Sequence, residues 1–399
     1  MKNKELIVDN GKLIMESFKI GDKKYLELIM GQSPPSKFYN TDKIGLPFFQ
    51  GKKQFGKLYP TVDTWCSEPK KIALKGDILL SVRAPVGPTN LAKEKCCIGR
   101  GLAALRPNAE KLLTKYVLYF FNNLELELQS KGQGSTFKAI AAKDLRNMTI
   151  ACPPLPEQRR IVSKLDGLFA EIDASLALID QNIEQAEALK LSVLDEEFGK
   201  VEQKEKLIEV AEFRPKKSEV REMKDVDCSF LPMKDLNEKQ IDFEPKETRK
   251  IGKVYKGYTY FRDNDVLLAK VTPCFQNRKA GVAKNLTNGI GFGSSEYFVF
   301  RPSEKIMSEY LYYFLMTADM INKGVLNMSG AVGLKRVPTN FIKNIEVPWT
   351  QIETQEKIVV KIENIFAEID GLVSDYQQKR EDFEALKSSL LDRAFKGEL

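Results

Sequence analysis

The side chains of this chain that could do chemistry are basic and amide groups gathered in turn-rich stretches. In the first half these are Lys52-Lys53-Gln54, Arg83, Arg100 and Lys131-Gly132-Gln133-Gly134-Ser135. In the second half they are Lys270, Gln276-Asn277-Arg278-Lys279 and Lys335-Arg336. Arginine and lysine donate to phosphate oxygens or to guanine, and glutamine or asparagine can make paired contacts to adenine. A solvated loop has the same composition, and most surface cations touch nothing specific. Taken as clusters, at least one in each half is expected to meet nucleic acid.

Catalysis is harder to assemble. The 399 residues contain no histidine. That removes the commonest general base, the Ser-His and Cys-His nucleophile pairs and the commonest metal ligand. Six cysteines, at 66, 96, 97, 152, 228 and 274, include no CxxC pair and suit reduced cytosolic thiols better than disulfides or zinc. No GxxxxGK[ST] loop occurs, so nothing supports ATP use. Gly289-Ile290-Gly291-Phe292-Gly293 has the glycines of a phosphate loop, but the residues after it read as a strand, whereas a dinucleotide loop must open a helix. Ser33-Pro34-Pro35-Ser36 and Cys152-Pro153-Pro154-Leu155 lack the aromatic residue with which an amino-methyltransferase loop stacks on its base, so both read as turns. No cofactor is expected.

The elements that must position these groups are duplicated. Shifted by 197 positions, Leu155–Gly199 aligns without a gap on Ile352–Lys396, and FAEID occurs in both. Gln158 falls on Gln355 and Phe198 on Phe395. Upstream, Asp77-Ile78-Leu79-Leu80 answers Asp265-Val266-Leu267-Leu268, and Arg106-Pro107 answers Arg301-Pro302. This is a tandem duplication of large units rather than a solenoid of short repeats. In the aligned block apolar residues recur three or four apart, from Ile161 through Leu189 to Val193 and from Ile358 through Leu386 to Leu390, which predicts two long amphipathic helices. Neither apolar stripe can stand alone in water, so the helices are expected to pack on each other, antiparallel.

Between the helices the chain reads as short apolar runs (DILLSV, DVLLAKV, EYFVFRP) punctuated by Gly, Pro and Asn, with one amphipathic helix near 112–128 and another near 306–322. The expected fold is α+β: two globules, 1–154 and 201–350, separated by helices 155–200 and 351–399 that form an antiparallel coiled coil with a pseudo-two-fold. Charge follows the same partition. The globules carry +11 and +5 and the helices −5 and −4, within a net charge of +7. Basic globules joined by acidic helices suit two separate contacts with a polyanion. The richest apolar run, Tyr116–Phe121, is far too short to cross a membrane, and the start of the chain has no export signal, so a cytoplasmic location without membrane contact is expected.

The sequence resembles the specificity subunits of type I restriction–modification systems over nearly its whole length. The most specific element is Pro154-Leu155-Pro156-Glu157-Gln158 opening a long helix, followed by Ile161, Leu165 and Phe169. A degenerate second copy begins at Pro348, where Ile352, Thr354 and Gln355 stand for Leu, Glu and Gln. Gly31-Gln32-Ser33-Pro34-Pro35, Phe230-Leu231-Pro232-Met233 and the Gly/Ser-rich segments Gly132–Thr136 and Ser329–Lys335 fit as well. The resemblance implies a non-catalytic subunit with two target-recognition domains, each reading half of a split double-stranded DNA target. It implies that the helices set the spacer and dock two modification subunits, which use S-adenosylmethionine to methylate adenine N6, with restriction subunits in the full complex. The rival readings are a stand-alone DNA-binding decoy or regulator and a structural coiled-coil adaptor.

Overall fold

The computed structural model describes residues 8–9, 12–13, 16–131, 139–238, 240–331 and 333–399, and leaves the side chains of 8, 9, 12, 13 and 131 undescribed. The chain forms two compact units, one made of 1–178 with 379–399 and the other of 179–378.

In the first unit the run Ile78–Ser81 becomes the inner strand of a four-stranded antiparallel sheet ordered Thr89–Leu91, Ile78–Ser81, Leu102–Pro107, Leu26–Met30. Its inner strands Ile78–Ser81 and Leu102–Pro107 are mostly apolar because both faces are covered. Ile78, Leu80, Ala103 and Leu105 face a core built with the helices, while Leu79, Leu102 and Ala104 face a second core. Beyond that second core lies a sheet ordered Tyr39–Asn40, Trp65–Cys66, Leu46–Phe49, Cys96–Ile98, Ile72–Ala73, with a parallel pairing of Leu46–Phe49 to Cys96–Ile98. Glu16–Lys19 pairs with Thr149–Cys152, and the latter leads directly into the long helix Leu155–Gly199.

The second unit repeats the strand order of the antiparallel sheet, and its other sheet lacks the outer strand that Tyr39–Asn40 adds in the first. Its antiparallel sheet runs Ala280–Val282, Val266–Ala269, Tyr297–Pro302, Ala211–Phe213. Its other sheet runs Glu247–Lys250, Asp227–Leu231, Ile290–Gly293, Thr259–Arg262, again with a central parallel pair. Lys204–Lys206 pairs with Glu346–Pro348, ahead of the helix Ile352–Lys396. Of the glycine run at 289–293, Gly289 closes a short turn and Ile290–Gly293 is a strand. A Cβ on Gly291 would sit 2.1 Å from the Phe261 ring, and one on Gly293 2.5 Å from the Leu231 carbonyl oxygen, so packing accounts for these glycines.

Each antiparallel sheet is pinned by an arginine on a buried aspartate. Arg106 donates to both carboxylate oxygens of buried Asp77, at 3.0 and 2.8 Å, and Arg301 does the same to buried Asp265, at 2.9 Å twice. Burial pushes the Asp265 carboxyl up, against the pull of Arg301 and the Arg262 backbone N–H.

The globules are fastened to the helices by glutamine clamps. Gln158 is fully buried; its amide nitrogen donates to the carbonyls of Lys111 and Pro153, each at 2.8 Å, and its oxygen accepts the Leu113 N–H at 2.8 Å. Gln355, also fully buried, donates to Lys305 and Thr350 (2.9 and 2.8 Å) and accepts from Met307 (3.0 Å). A phenylalanine from a helix end completes each seat. Phe395 packs on Tyr116 in the first unit and Phe198 on Tyr310 in the second.

Both long helices have 45 residues, and each contributes a stretch to each unit. Within the first unit Lys387 pairs with Asp173, and the Arg160 guanidinium donates to the Leu399 carbonyl at 2.8 Å; within the second, Lys190 pairs with Asp370 and Lys361 with Glu197. In each unit the paired positions rise along one helix as they fall along the other, so the two stretches have opposite chain direction. Two expectations differ in detail. Leu189 and Leu386, read as part of the apolar stripes, are 51% and 43% exposed. The helices near 112–128 and 306–322 each break in two, after Asn123 and Leu315; in the second, the Thr317 hydroxyl caps the following helix by accepting from the Met320 N–H.

Candidate functional site

In the first unit the Gly31–Pro35 segment leaves the end of the edge strand Leu26–Met30 and lies along the loop Gly99-Arg100-Gly101. The Gly31 N–H donates to the Leu102 carbonyl at 2.9 Å, and the Gln32 N–H to that of Ile98 at 3.0 Å. A Cβ on Gly31 would meet the Gly99 oxygen at 2.1 Å, so only glycine permits this approach. The approach brings Ser33 to Gln50. The Ser33 hydroxyl accepts the Arg100 backbone N–H at 3.1 Å and donates to the Gln50 side-chain oxygen at 2.9 Å. Cβ atoms on Gly99 or Gly101 would come within 2.3 Å of Gln50, so the glycines on either side of Arg100 let that loop press against it.

Ser33, Gln50, Gln54, Thr64 and Arg100 line a shallow depression of about 310 Å³ whose aromatic wall is Tyr39 stacked on Phe48. Gln54 is carried there by the turn Lys52–Gln54, on which Lys52 and Lys53 are exposed. The Gln54 side-chain oxygen is buried and has no hydrogen-bond partner among the described residues. The fold therefore gathers two of the expected residues, Gln54 and Arg100, beside two that sequence reading did not single out as contacts, Ser33 and Gln50. Arg83 is exposed at a bridge to Ala139, where the antiparallel sheet ends. Lys131 closes a short helix, and its side chain, with Gln133 and Ser135, lies outside the described residues.

In the second unit several expected contacts are engaged internally. Arg336 makes a two-pronged ion pair with Glu296, both bonds 2.9 Å, which holds the Glu296 carboxyl below its usual range. Lys270 donates to the Ser295 carbonyl at 2.8 Å and lies 3.9 Å from Glu296; burial lowers its pKa. Asn277 and Lys279 both face Glu238, at 3.2 and 3.9 Å. Arg278, in left-handed backbone at φ +57°, turns inward to the Met316 carbonyl at 3.4 Å, and burial lowers its pKa. Gln276 and Lys335 are exposed. Lys335 stands on the hairpin Ser329–Ala331 to Leu334–Arg336, whose base is tied by Thr272 to the Lys335 N–H (3.1 Å). Exposed Arg214, which the sequence reading passed over, lies over Phe213 and Phe298 at 5.3 and 5.6 Å.

Lys52, Lys53, Arg83, Arg100 and Lys335 thus present cations that make no ion pair among the described residues. Among those residues no three Cys, Asp or Glu side chains converge as a metal site, and no helix is long and apolar enough to cross a membrane. Burial pushes the Cys96 thiol up to about 12 and those of Cys97 and Cys228 to about 11.

The family model described as "Type I restriction modification DNA specificity domain" matches this chain twice, over residues 15–185 and 200–373. A chain assigned as the type I restriction enzyme MjaX specificity subunit of Methanocaldococcus jannaschii is 41% identical over 180 residues, 45% of this chain and 41% of that one. The type I restriction enzyme EcoAI specificity subunit of Escherichia coli is 35% identical over 167 residues, 42% of this chain and 28% of its own. These matches span less than half of either relative. The crystal structure of the HsdS subunit from Thermoanaerobacter tengcongensis aligns with 96% of this chain and 97% of its own, at 18% identity and a TM-score of 0.50, a likeness of fold.

Proposed function

The chain belongs to the family of type I restriction modification DNA specificity domains, and from that premise we propose that it is the non-catalytic subunit giving a modification complex its DNA target. Residues 1–154 and 201–350 act as two target-recognition domains, each reading one half of a bipartite duplex sequence. Residues 155–200 and 351–399 act as an antiparallel coiled coil with a pseudo-two-fold, setting the unspecified spacer and docking two adenine-N6 modification subunits. Restriction subunits join the full complex, and the site of action is cytoplasmic DNA.

The observation that carries this reading is the pair of family matches, each spanning one globule and the start of the helix that follows it. Geometry supports it in two ways. The buried frame is the same in both units, Asp77–Arg106 and Gln158 answering Asp265–Arg301 and Gln355, while the exposed polar loops differ. A constant frame with variable loops is what two independent sequence readers need. Partner docking is supported by Leu189 and Leu386, which align under the 197-residue shift and are both exposed; one such leucine per unit suits two copies of one partner.

The test is to express the chain with an adenine-N6 modification subunit in cells free of DNA methylation and sequence the methylated genome. A split, asymmetric motif with N6-methyladenine in each half is the expected result. An assembled complex that produces no such motif overturns the proposal.

A further inference from the structure

We propose that Arg100, with the Gln50 amide locked beside it, reads a guanine in the major groove of one half-site. The inference rests on the DNA-reading role above and adds which residues read and which base they select.

The Ser33 hydroxyl ties Arg100 to Gln50. It accepts the Arg100 backbone N–H and donates to the Gln50 side-chain oxygen, which turns the carboxamide NH₂ away from Ser33. A guanidinium and an amide NH₂ in one depression offer donors alone. In the major groove guanine presents two acceptors, N7 and O6, whereas adenine presents an acceptor and a donor, N7 and N6–H₂. A donor-only pair matches guanine and leaves the adenine amino group facing another donor. Arg100 is exposed and makes no ion pair among the described residues, so its prongs are not spent internally.

The setting favours a base edge over a phosphate. Arg100 sits against an aromatic and amide surface of Tyr39, Phe48 and Gln50 rather than within a cationic cluster, and Lys52 and Lys53 on the adjacent turn are the side chains free for backbone phosphates. Arg100 is also held from both sides, because neither flanking glycine could bear a Cβ without striking Gln50. A recognition side chain whose backbone is clamped loses less freedom on binding. The second unit has no such pair. Its backbone equivalents, identified by the Gly99 N–H to Phe49 and Ser294 N–H to Leu231 hydrogen bonds, put Pro232 in the place of Gln50 and Ser295 in that of Arg100. The guanine is therefore expected in one half-site only.

The test uses the assembled complex with its modification subunits. The methylated motif is compared between wild type, Arg100→Ala and Arg100→Lys. Binding is then measured on duplexes in which each guanine of the motif is replaced in turn by 7-deazaguanine, which lacks the N7 acceptor. The expected result is one guanine, in one half, at which Arg100→Ala loses about ten- to hundred-fold discrimination while Arg100→Lys keeps part of it. At that base 7-deazaguanine weakens wild type about ten-fold or more and leaves Arg100→Ala unmoved. A wild type that reads a split motif while Arg100→Ala relaxes no guanine, or relaxes an A·T position, overturns this inference and leaves the DNA-reading role standing. Equal weakening of both proteins by 7-deazaguanine overturns it as well. An assembled wild-type complex with no split motif overturns the role, and this assignment with it. Arg100→Lys preserves the charge, so a fold defect confined to Arg100→Ala still leaves a readable result at the same base.

Discussion

Replacing Gln158 by alanine should loosen the first unit at its junction with the long helix, by an amount set by three hydrogen bonds. The carboxamide is fully buried and joins the Lys111 and Pro153 carbonyls to the Leu113 N–H, all at 2.8 Å. Alanine removes both donors and the acceptor and supplies nothing in return. A buried polar group left unsatisfied costs roughly 1–3 kcal/mol. Lys111 lies at the surface, where water can replace part of what is lost, so the low end applies and the total is about 3 kcal/mol. Against a native stability of about 5–15 kcal/mol that is a large fraction. At 1.4 kcal/mol per decade it predicts native-state hydrogen exchange about a hundred-fold faster at the Leu113 amide and in the adjoining helix Thr114–Asn123. Exchange in the second unit, which has its own clamp at Gln355, should be unchanged. Gln158→Glu sharpens the test. It keeps an acceptor for Leu113 but points a carboxylate at two carbonyl oxygens, so its folded pKa must rise above the unfolded value. A raised carboxylate pKa is a stability deficit at neutral pH that is relieved as pH falls through it. Alanine and glutamate variants that exchange within about three-fold of wild type would refute the clamp.

At the helix pair of the first unit, hydrogen bonds from Lys387 and then Lys57 hold the Asp173 carboxyl below its ordinary value. A depressed carboxylate stabilises above its unfolded pKa, near 4, and loses that contribution as pH falls through the folded value. Asp173→Asn should therefore cost up to about 1 kcal/mol at pH 7, the pair being partly exposed, with the difference from wild type closing toward pH 3 in urea titrations. Thiol labelling of the native protein at pH 8 should reach the partly exposed Cys274 and Cys152 first, while buried Cys66, Cys96, Cys97 and Cys228 react only on unfolding; prompt modification of Cys96 would contradict the packing. Leu189→Asp and Leu386→Asp should each weaken capture of modification subunits at least ten-fold without unfolding the chain, since both side chains already face water. Unchanged assembly of the double variant would remove these leucines from the docking surface. Exchange of residues 1–154 for those of a relative should alter one half of the methylated motif, and a change in both halves would mean that the globules do not read independently.

What the sequence made legible was whatever repeats along one element. The three-and-four spacing from Ile161 onward predicts a helix, and the structure has one from Leu155 to Gly199. The runs DILL and DVLL predict strands, and both are inner strands. The gapless alignment of Gln158 on Gln355 marks two equivalent residues, but their role as clamps depends on loops 45 to 50 residues away. Periodicity also cannot tell which of two adjacent helical rows meets a neighbour, and for that reason Leu189 and Leu386 read as stripe residues while standing exposed. Basic clusters were legible as clusters. That Arg336 is spent on Glu296 and Lys279 faces Glu238 was not, because each carboxylate comes from about 40 residues away in the chain. The Ser33–Gln50–Arg100 group escaped for the same reason, its two hydrogen bonds spanning 17 and 67 residues.

These losses have a common source, and it bears on how such a protein diversifies. Side chains that define the frame are buried or half-buried, and their partners recur in both units: Asp77 with Arg106 as Asp265 with Arg301, Tyr116 with Phe395 as Tyr310 with Phe198. A change at any of them leaves a buried charge or a cavity, each worth several kcal/mol. The polar groups at the loop tips carry no such penalty, and there the units diverge. Where the first unit has Gln50 and an unpaired Arg100, the second has Pro232 and Ser295, with a carboxylate, Glu296, shared between Arg336 and Lys270. One surface presents the Arg100 guanidinium and the Gln50 NH₂ as donors; the other centres on an acceptor already engaged. If each unit reads DNA as proposed, surfaces of such different hydrogen-bonding character select different bases at the equivalent place. On that proposed role an asymmetric target would follow from the physical chemistry of the loops, with no asymmetry required of the frame that holds them.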